Sequence, residues 1–168
     1  MRLFIAILFD KEILDAFTDF QQELQALGVS GNYTKRENLH ITLAFIGEYN
    51  DPEAVLEAME RSAFRPMEIA LDGVGSFGEI FWAGLKENPA LAAYAKRLRR
   101  ELAESDIPFD RKRFSPHITL VRKAAMRGGG LIPVEEAPQG HMRAARVSLM
   151  SSERGKNGMI YTEIASVG

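Results

Sequence analysis

His40-Ile41-Thr42-Leu43 and His117-Ile118-Thr119-Leu120 are the same four-residue word, written twice in a chain of 168 residues that holds only one other histidine, His141. In an extended strand successive side chains alternate between faces, so each copy sets His beside Thr on one face and Ile beside Leu on the other. Each copy therefore offers an imidazole next to a hydroxyl, on a backbone anchored by two apolar side chains. The reading of the whole chain turns on whether the two His-Thr faces meet.

Sliding the sequence against itself by 77 positions superposes the two words, and much else aligns without a gap. Phe4, Ala6 and Leu8 fall on Phe81, Ala83 and Leu85; Leu14 falls on Leu91, Phe17 on Tyr94 and Arg36 on Arg113. Residues 67–74 fall on 144–151, and 80–85 falls again on 157–162. Each copy reads as a strand, a helix, the His strand and a further strand. A unit of this size cannot bury its apolar sheet face alone, so two copies should pack about a pseudo-two-fold axis.

The elements follow from local signals. Residues 3–8 are an apolar run of strand length. Asp10 is a plausible helix N-cap, with Ile13, Leu14, Phe17, Phe20, Leu24 and Leu27 at helical spacing until Gly28. Gly31-Asn32 reads as a turn before a strand from Leu39 to Ile46, ended by Gly47. Asp51-Pro52 starts a helix, 67–74 and 80–85 are strand candidates, and Asn88-Pro89 starts a third helix with Leu91, Tyr94, Leu98 and Leu102. Residues 124–140, with Gly128-Gly129-Gly130, Pro133 and Pro138, read as a long flexible flap, since loops of this length are usually functional or mobile. The glycines lack the Gly-Lys-Ser/Thr ending of a nucleotide-phosphate loop. Strand candidates Ala145–Ser151 and Met159–Ile164, joined by a turn at 153–158, close the chain.

Composition bounds the function classes. With 46% hydrophobic and 26% charged residues the chain can bury a core as one domain, residues 1–168. The absence of cysteine excludes disulfides, thiolate metal sites and a Cys nucleophile. The apolar start is cut short by Asp10, Lys11 and Glu12, so it does not read as a signal peptide, and a soluble cytoplasmic protein is the expectation. A net charge of −2 argues against a large nucleic-acid-coating surface, but cations are unevenly placed. Lys96, Arg97, Arg99 and Arg100 read as a solvated helix face. Arg111, Lys112, Arg113, Arg122, Lys123 and Arg127 flank the second word and read as a local anion-attracting field.

Two imidazoles that titrate near neutrality suit a step in which one removes a proton from a nucleophile and the other delivers one to a leaving group. That arrangement fits attack on phosphorus, with Thr42 and Thr119 on non-bridging oxygens and Arg122 stabilising developing charge. The aim of Arg122 is left open by strand alternation. A lone strand histidine is more often a half-buried residue with a satisfied hydrogen bond; the duplication is what favours catalysis. Zinc held by the two His and His141 is the other sharp possibility, disfavoured because His141 lies outside both words and no carboxylate recurs beside them.

The words and their surroundings, Asn38-Leu39-His40-Ile41-Thr42-Leu43-Ala44-Phe45-Ile46-Gly47 and Phe114-Ser115-Pro116-His117-Ile118-Thr119-Leu120, resemble the two-histidine (2H) phosphoesterases. Within that family the chain is similar to the RNA 2′,3′-cyclic phosphodiesterases once described as 2′-5′ RNA ligases. The resemblance covers the whole chain, from Arg2-Leu3-Phe4-Ile5-Ala6-Ile7 to the last strand with Tyr161. It implies a bilobal α+β fold, with two antiparallel sheets lining a central cleft and helices outside. It implies no metal or other cofactor, and opening of a terminal 2′,3′-cyclic phosphate to a 2′-phosphate. His40 would then protonate the departing 3′ oxygen and His117 would activate water, with Thr42 and Thr119 on the phosphate. Reversal would join a cyclic end to a 5′-hydroxyl. The implied partner is RNA or an oligonucleotide with a cyclic end, or a cyclic nucleotide. No membrane and no obligate protein partner is expected, and the chain is read as a monomer. A module that binds phosphorylated ends without turnover, and a phosphodiesterase for 2′-5′ linked oligonucleotides, are the alternatives.

Overall fold

A computed structural model describes all 168 residues as two antiparallel sheets and three helices. Strand β1 (Arg2–Leu8) runs into helix α1 (Lys11–Ala26), whose N-cap Asp10 accepts from Ile13 N at 3.1 Å. β2 (Val29–Tyr33) and a single 3₁₀ turn at Arg36–Asn38 lead to β3 (His40–Glu48), then α2 (Pro52–Arg61) and β4 (Met67–Phe77). The second half begins with β5 (Ile80–Leu85) and α3 (Pro89–Glu104), capped by Asn88, and continues with β6 (Ile118–Met126). β7 (His141–Ala144), β8 (Val147–Gly155) and β9 (Gly158–Val167) complete it. No helix is long and apolar enough to cross a membrane.

One sheet has the order β3-β1-β8-β9 and the other β2-β6-β5-β4-β7. Each sheet is thus built around a strand pair from one half, β1 with β3 or β5 with β6, and takes its next strand from the other half. β8 joins the first pair and β4 the second, which ties the halves together covalently as well as by packing. The fold is the α+β, pseudo-two-fold arrangement expected.

Apolar side chains explain the layers. Leu3, Ile5 and Ile7 of β1, Ile41 and Leu43 of β3, and Ile118 and Leu120 of β6 enter one continuous core with Ile13, Phe17, Phe20 and Leu24 of α1 and Leu91, Tyr94, Leu98 and Leu102 of α3. Each such fully buried side chain contributes about 1.5–3 kcal/mol, which makes this interlayer core the main source of stability. On its opposite face β1 turns Phe4 and Ala6 into a small cluster with Met150, so both faces of β1 are covered, which accounts for its unbroken apolar run.

Several expectations are corrected. Gly31-Asn32 is not a turn but lies inside β2, which pairs with β6; Ser30-Gly31-Asn32 has little strand propensity of its own and is extended because β6 supplies its partners. β7 falls in a stretch with no alternation and was not foreseen. Repeats are not in one constant register. Ala6 pairs with Thr42 but Trp82 with Thr119, so Trp82, not Ala83, is the counterpart of Ala6, and Phe81 occupies the core place of Ile5. Slipping a strand by one residue exchanges its faces, and burial of the apolar face decides. Helix caps Asp10 and Asn88 are in turn one residue farther apart than the motifs, which brings Ile13 rather than Leu14 into correspondence with Leu91.

The stretch 124–140 is the expected long loop from residue 127 onward. β6 runs on to Met126; Ile132 and Val134 pack against the core, and no residue of this stretch lines the central cleft. It takes the sequence place of α2 in the second half. Gly128, Gly129 and Gly130 all have positive φ, a conformation that stops a helix.

Candidate functional site

The two words fold as their alternation requires. Ile41, Leu43, Ile118 and Leu120 are buried, while His40, Thr42, His117 and Thr119 line a cleft of about 1290 Å³. Arg122 lines it as well, so all five candidate residues are brought together.

Arg122 reaches the cleft through a bulge. Leu120 and Val121 are consecutive and both buried, and the ladder between β5 and β6 slips at this point, pairing Phe81 with Val121 and Trp82 with Thr119. The extra residue inverts the alternation, so that the face beginning His117-Thr119 continues with Arg122 instead of Val121. β3 does the same. Ala6 pairs with Thr42 and Ile5 with Ala44, Leu43 is the inserted residue, and Phe45 follows onto the cleft. Beyond Arg122, Lys123 adopts φ +53 and faces the cleft too. Gly31 of β2 crosses there with φ +146, and a Cβ on it would lie 2.7 Å from Arg122 O, so this approach requires glycine.

Each imidazole is oriented from behind in the same way. His40 Nδ1 lies 2.7 Å from Asn38 O, and His117 Nδ1 lies 2.6 Å from Ser115 O. A carbonyl only accepts, so each Nδ1 carries the proton and each Nε2 is left to the cleft. Thr42 Oγ1 is 2.8 Å from His40 Nε2 and donates to it when the ring is neutral. Aromatic walls complete the sockets: Phe4 and Tyr161 stand 5.0 and 5.5 Å from the His40 ring, and Phe77 and Trp82 stand 5.1 and 6.2 Å from that of His117.

Burial in its socket pushes the His40 imidazole below the ordinary histidine value of 6.5; the hydrogen bond to Asn38 opposes this, and the positive charges of Arg122 and His117 add to the lowering.

The cleft is cationic in a chain that is not. Arg2, Lys35, Arg122, Lys123, Arg154 and Lys156 line it and no Asp or Glu does. Of the cations flanking the second word, only Arg122 and Lys123 contribute; the other cleft cations come from β1, the segment after β2, the end of β8 and the turn that follows it, which no local sequence signal marked. Arg36, aligned with Arg113 in the repeat, instead pairs with Asp15 at 2.8 Å. His141 sits on β7 opposite Ala70, outside the cleft lining, and no three His, Cys, Asp or Glu side chains converge anywhere in a metal-binding cluster. Asn38, Phe4, Tyr161 and Trp82 are site residues that sequence reasoning missed. One signal for the bulges was present: the consecutive apolar residues Leu43-Ala44 and Leu120-Val121 break the two-residue period at equivalent places.

Known proteins are similar to this chain in sequence and in fold. Over 130 residues the chain is 34% identical to the RNA 2′,3′-cyclic phosphodiesterase of Archaeoglobus fulgidus, covering 73% of this chain and 72% of that one. It is 35% identical over 133 residues to the RNA 2′,3′-cyclic phosphodiesterase of Geobacillus stearothermophilus, covering 71% of this chain but 41% of that protein's length. The apo crystal structure of Escherichia coli LigT superposes with a TM-score of 0.83 at 26% identity, over 99% of this chain and 95% of that one. Residues 12–156 match the family model of the 2′-5′ RNA ligase superfamily, and the chain belongs to that superfamily.

Proposed function

We propose that the protein hydrolyses 2′,3′-cyclic phosphodiester ends of RNA, or small 2′,3′-cyclic nucleotides, to 2′-phosphomonoesters by two-histidine acid–base catalysis. The observation that carries this reading is the convergence of two Nε2 atoms, two Thr hydroxyls and Arg122 on one cationic cleft with no carboxylate in its lining. The relatives named RNA 2′,3′-cyclic phosphodiesterase supply the substrate class.

Water attacks phosphorus as His117 Nε2 takes its proton, and the P–O3′ bond breaks as His40 Nε2–H protonates the departing 3′ oxygen. The two rings exchange protonation states in one turnover, and the 2′-phosphate remains. Thr42, Thr119 and the Arg122 guanidinium bond the non-bridging oxygens, where negative charge grows in the transition state. The chemistry needs no metal. His40 must be protonated to act, and its socket disfavours that form in the free protein. Seating the phosphate's negative charge beside the ring offsets the penalty, so substrate binding itself prepares the acid. With a 5′-hydroxyl in place of water as the nucleophile, the same groups make a 2′-5′ linkage.

A 2′,3′-cyclic mononucleotide followed by ³¹P NMR tests the reading. The expected product is the 2′-phosphomonoester, formed equally in EDTA and lost in His40→Ala and His117→Ala. Binding without conversion, a 3′-phosphate product, full activity in either variant, or zinc-dependent recovery after EDTA would each overturn it. Bis(p-nitrophenyl) phosphate, whose leaving group needs no proton, separates the roles: His40→Ala should retain more activity on it than His117→Ala, and the opposite order exchanges acid and base.

A further inference from the structure

Both inserted residues of the motif strands have their carbonyls held by a polar side chain that arrives from the helix of the other half. From α1, Gln21 Nε2 donates to Leu120 O at 3.0 Å and to Thr34 O at 3.0 Å. From α3, Arg99 donates to Leu43 O through Nε at 3.4 Å and Nη2 at 3.3 Å, and to Lys112 O through Nη1 at 2.7 Å. The arrangement is pseudo-symmetric in every part. Gln21 and Arg99 each lie eleven residues beyond their helix caps, Asp10 and Asn88, and Leu43 and Leu120 each lie three residues beyond their histidines.

These carbonyls occupy the point where alternation inverts. If the bulge relaxed into regular pairing, Phe45 or Arg122 would turn away from the cleft and the His-Thr face would rotate with it. Gln21 is buried, and Arg99 is partly desolvated, with the charge of Asp110 acting on it only from beyond ion-pairing distance and its guanidinium flanked by Phe109 and Phe114 at 5.8 and 5.7 Å. Burying such groups is costly unless their hydrogen bonds are made, so both are committed to these carbonyls. Arg99 carries the greater share of this work, because β3 is an edge strand whereas β6 is flanked by β2.

From this we infer that Arg99 and Gln21 are positioning residues, Arg99 for His40 with Thr42 and Gln21 for His117 with Thr119 and Arg122, each acting by holding the bulge of the opposite half's motif strand. The inference rests on the reading of the cleft given above.

The test uses the full chain with Arg99→Met and Gln21→Met, which keep the stem and remove the donors, Arg99→Lys as the conservative replacement, and exposed Arg100→Met as control. Displacement of catalytic groups by about an ångström costs up to ~100-fold, so kcat should fall ~10- to 100-fold while KM stays within about twofold. Arg99→Lys should recover part of the loss and Arg100→Met should match wild type. Imidazole resonances supply the second readout: Arg99→Met should move those of His40 and leave those of His117, and Gln21→Met should do the reverse. Unchanged kcat with unmoved rings, or both rings moving equally in either variant, would overturn the inference. Should Arg99→Met fail to fold, Gln21→Met decides. If wild type turns nothing over, the proposed reaction fails, whereas selective movement of one ring still upholds the positioning.

Discussion

The strands β3 and β6 carry the same word and solve the same local problem in the same way, yet they are finished differently. Both set Nδ1 of the histidine on a carbonyl two residues back, both insert the Leu that follows Thr, and both have that Leu's carbonyl held from a helix of the other half. At the next cleft position one strand presents Phe45 and the other Arg122. β6 is flanked by β2, while the open edge of β3 is met by a loop, with Asp110 N donating to Phe45 O at 2.8 Å, and by Arg99. A duplicated unit thus yields a symmetric frame for two rings, and burial in its own socket pushes the His40 imidazole below its ordinary value.

The sharpest break of that comparison is to remove one ring at a time. His40→Ala and His117→Ala should each lower kcat by roughly 10²–10⁴-fold on a 2′,3′-cyclic nucleotide, with unchanged circular dichroism, because an acid and a base are both needed in one step. A smaller asymmetry is expected at the equivalent third positions. Arg122→Met should cost about 10²-fold in kcat through lost charge stabilisation, and Phe45→Leu less than about 10-fold, measured with the same substrate. Equal losses would show that charge at Arg122 does not distinguish the halves.

The third prediction concerns pH. Because the folded His40 value is lowered, the unfolded chain binds the proton first as pH falls below about 6.5, so stability declines through that window until the folded ring also protonates. His40→Gln should flatten the fall in Tm between pH 7 and the folded ring's own titration. In the opposite arm, Arg122→Met should raise the His40 midpoint read by NMR, since it removes one of the charges that lower it. The smallest effects belong to the helix caps. Asp10→Ala and Asn88→Ala should each cost about 1 kcal/mol in urea unfolding, since each removes one bond to a first-turn amide.

Much of this was legible because it is local. Asp10, Asp51 and Asn88 mark helix starts in single residues, and His-Ile-Thr-Leu sorts its own faces because the strand period is two. Residues that depend on a partner strand were not legible: β2 reads as a turn until β6 supplies its hydrogen bonds, and Arg99 reads as one cation of a solvated helix face until β3 lies beside it. Arg97 likewise donates to Ser62 O at 3.2 Å instead of standing free.

By itself the sequence determined the duplicated strand–helix–strand plan, the identity of the two histidines and two threonines, and which face each one shares, since these rest on periodicity and capping within a few residues. Only the tertiary structure decided that β4 and β8 change sheets, that Leu43 and Leu120 are inserted residues, that Arg122 therefore points inward, and that six cations from distant segments converge. Those outcomes depend on how one strand's register meets another's and on which face is buried, quantities that exist only between segments.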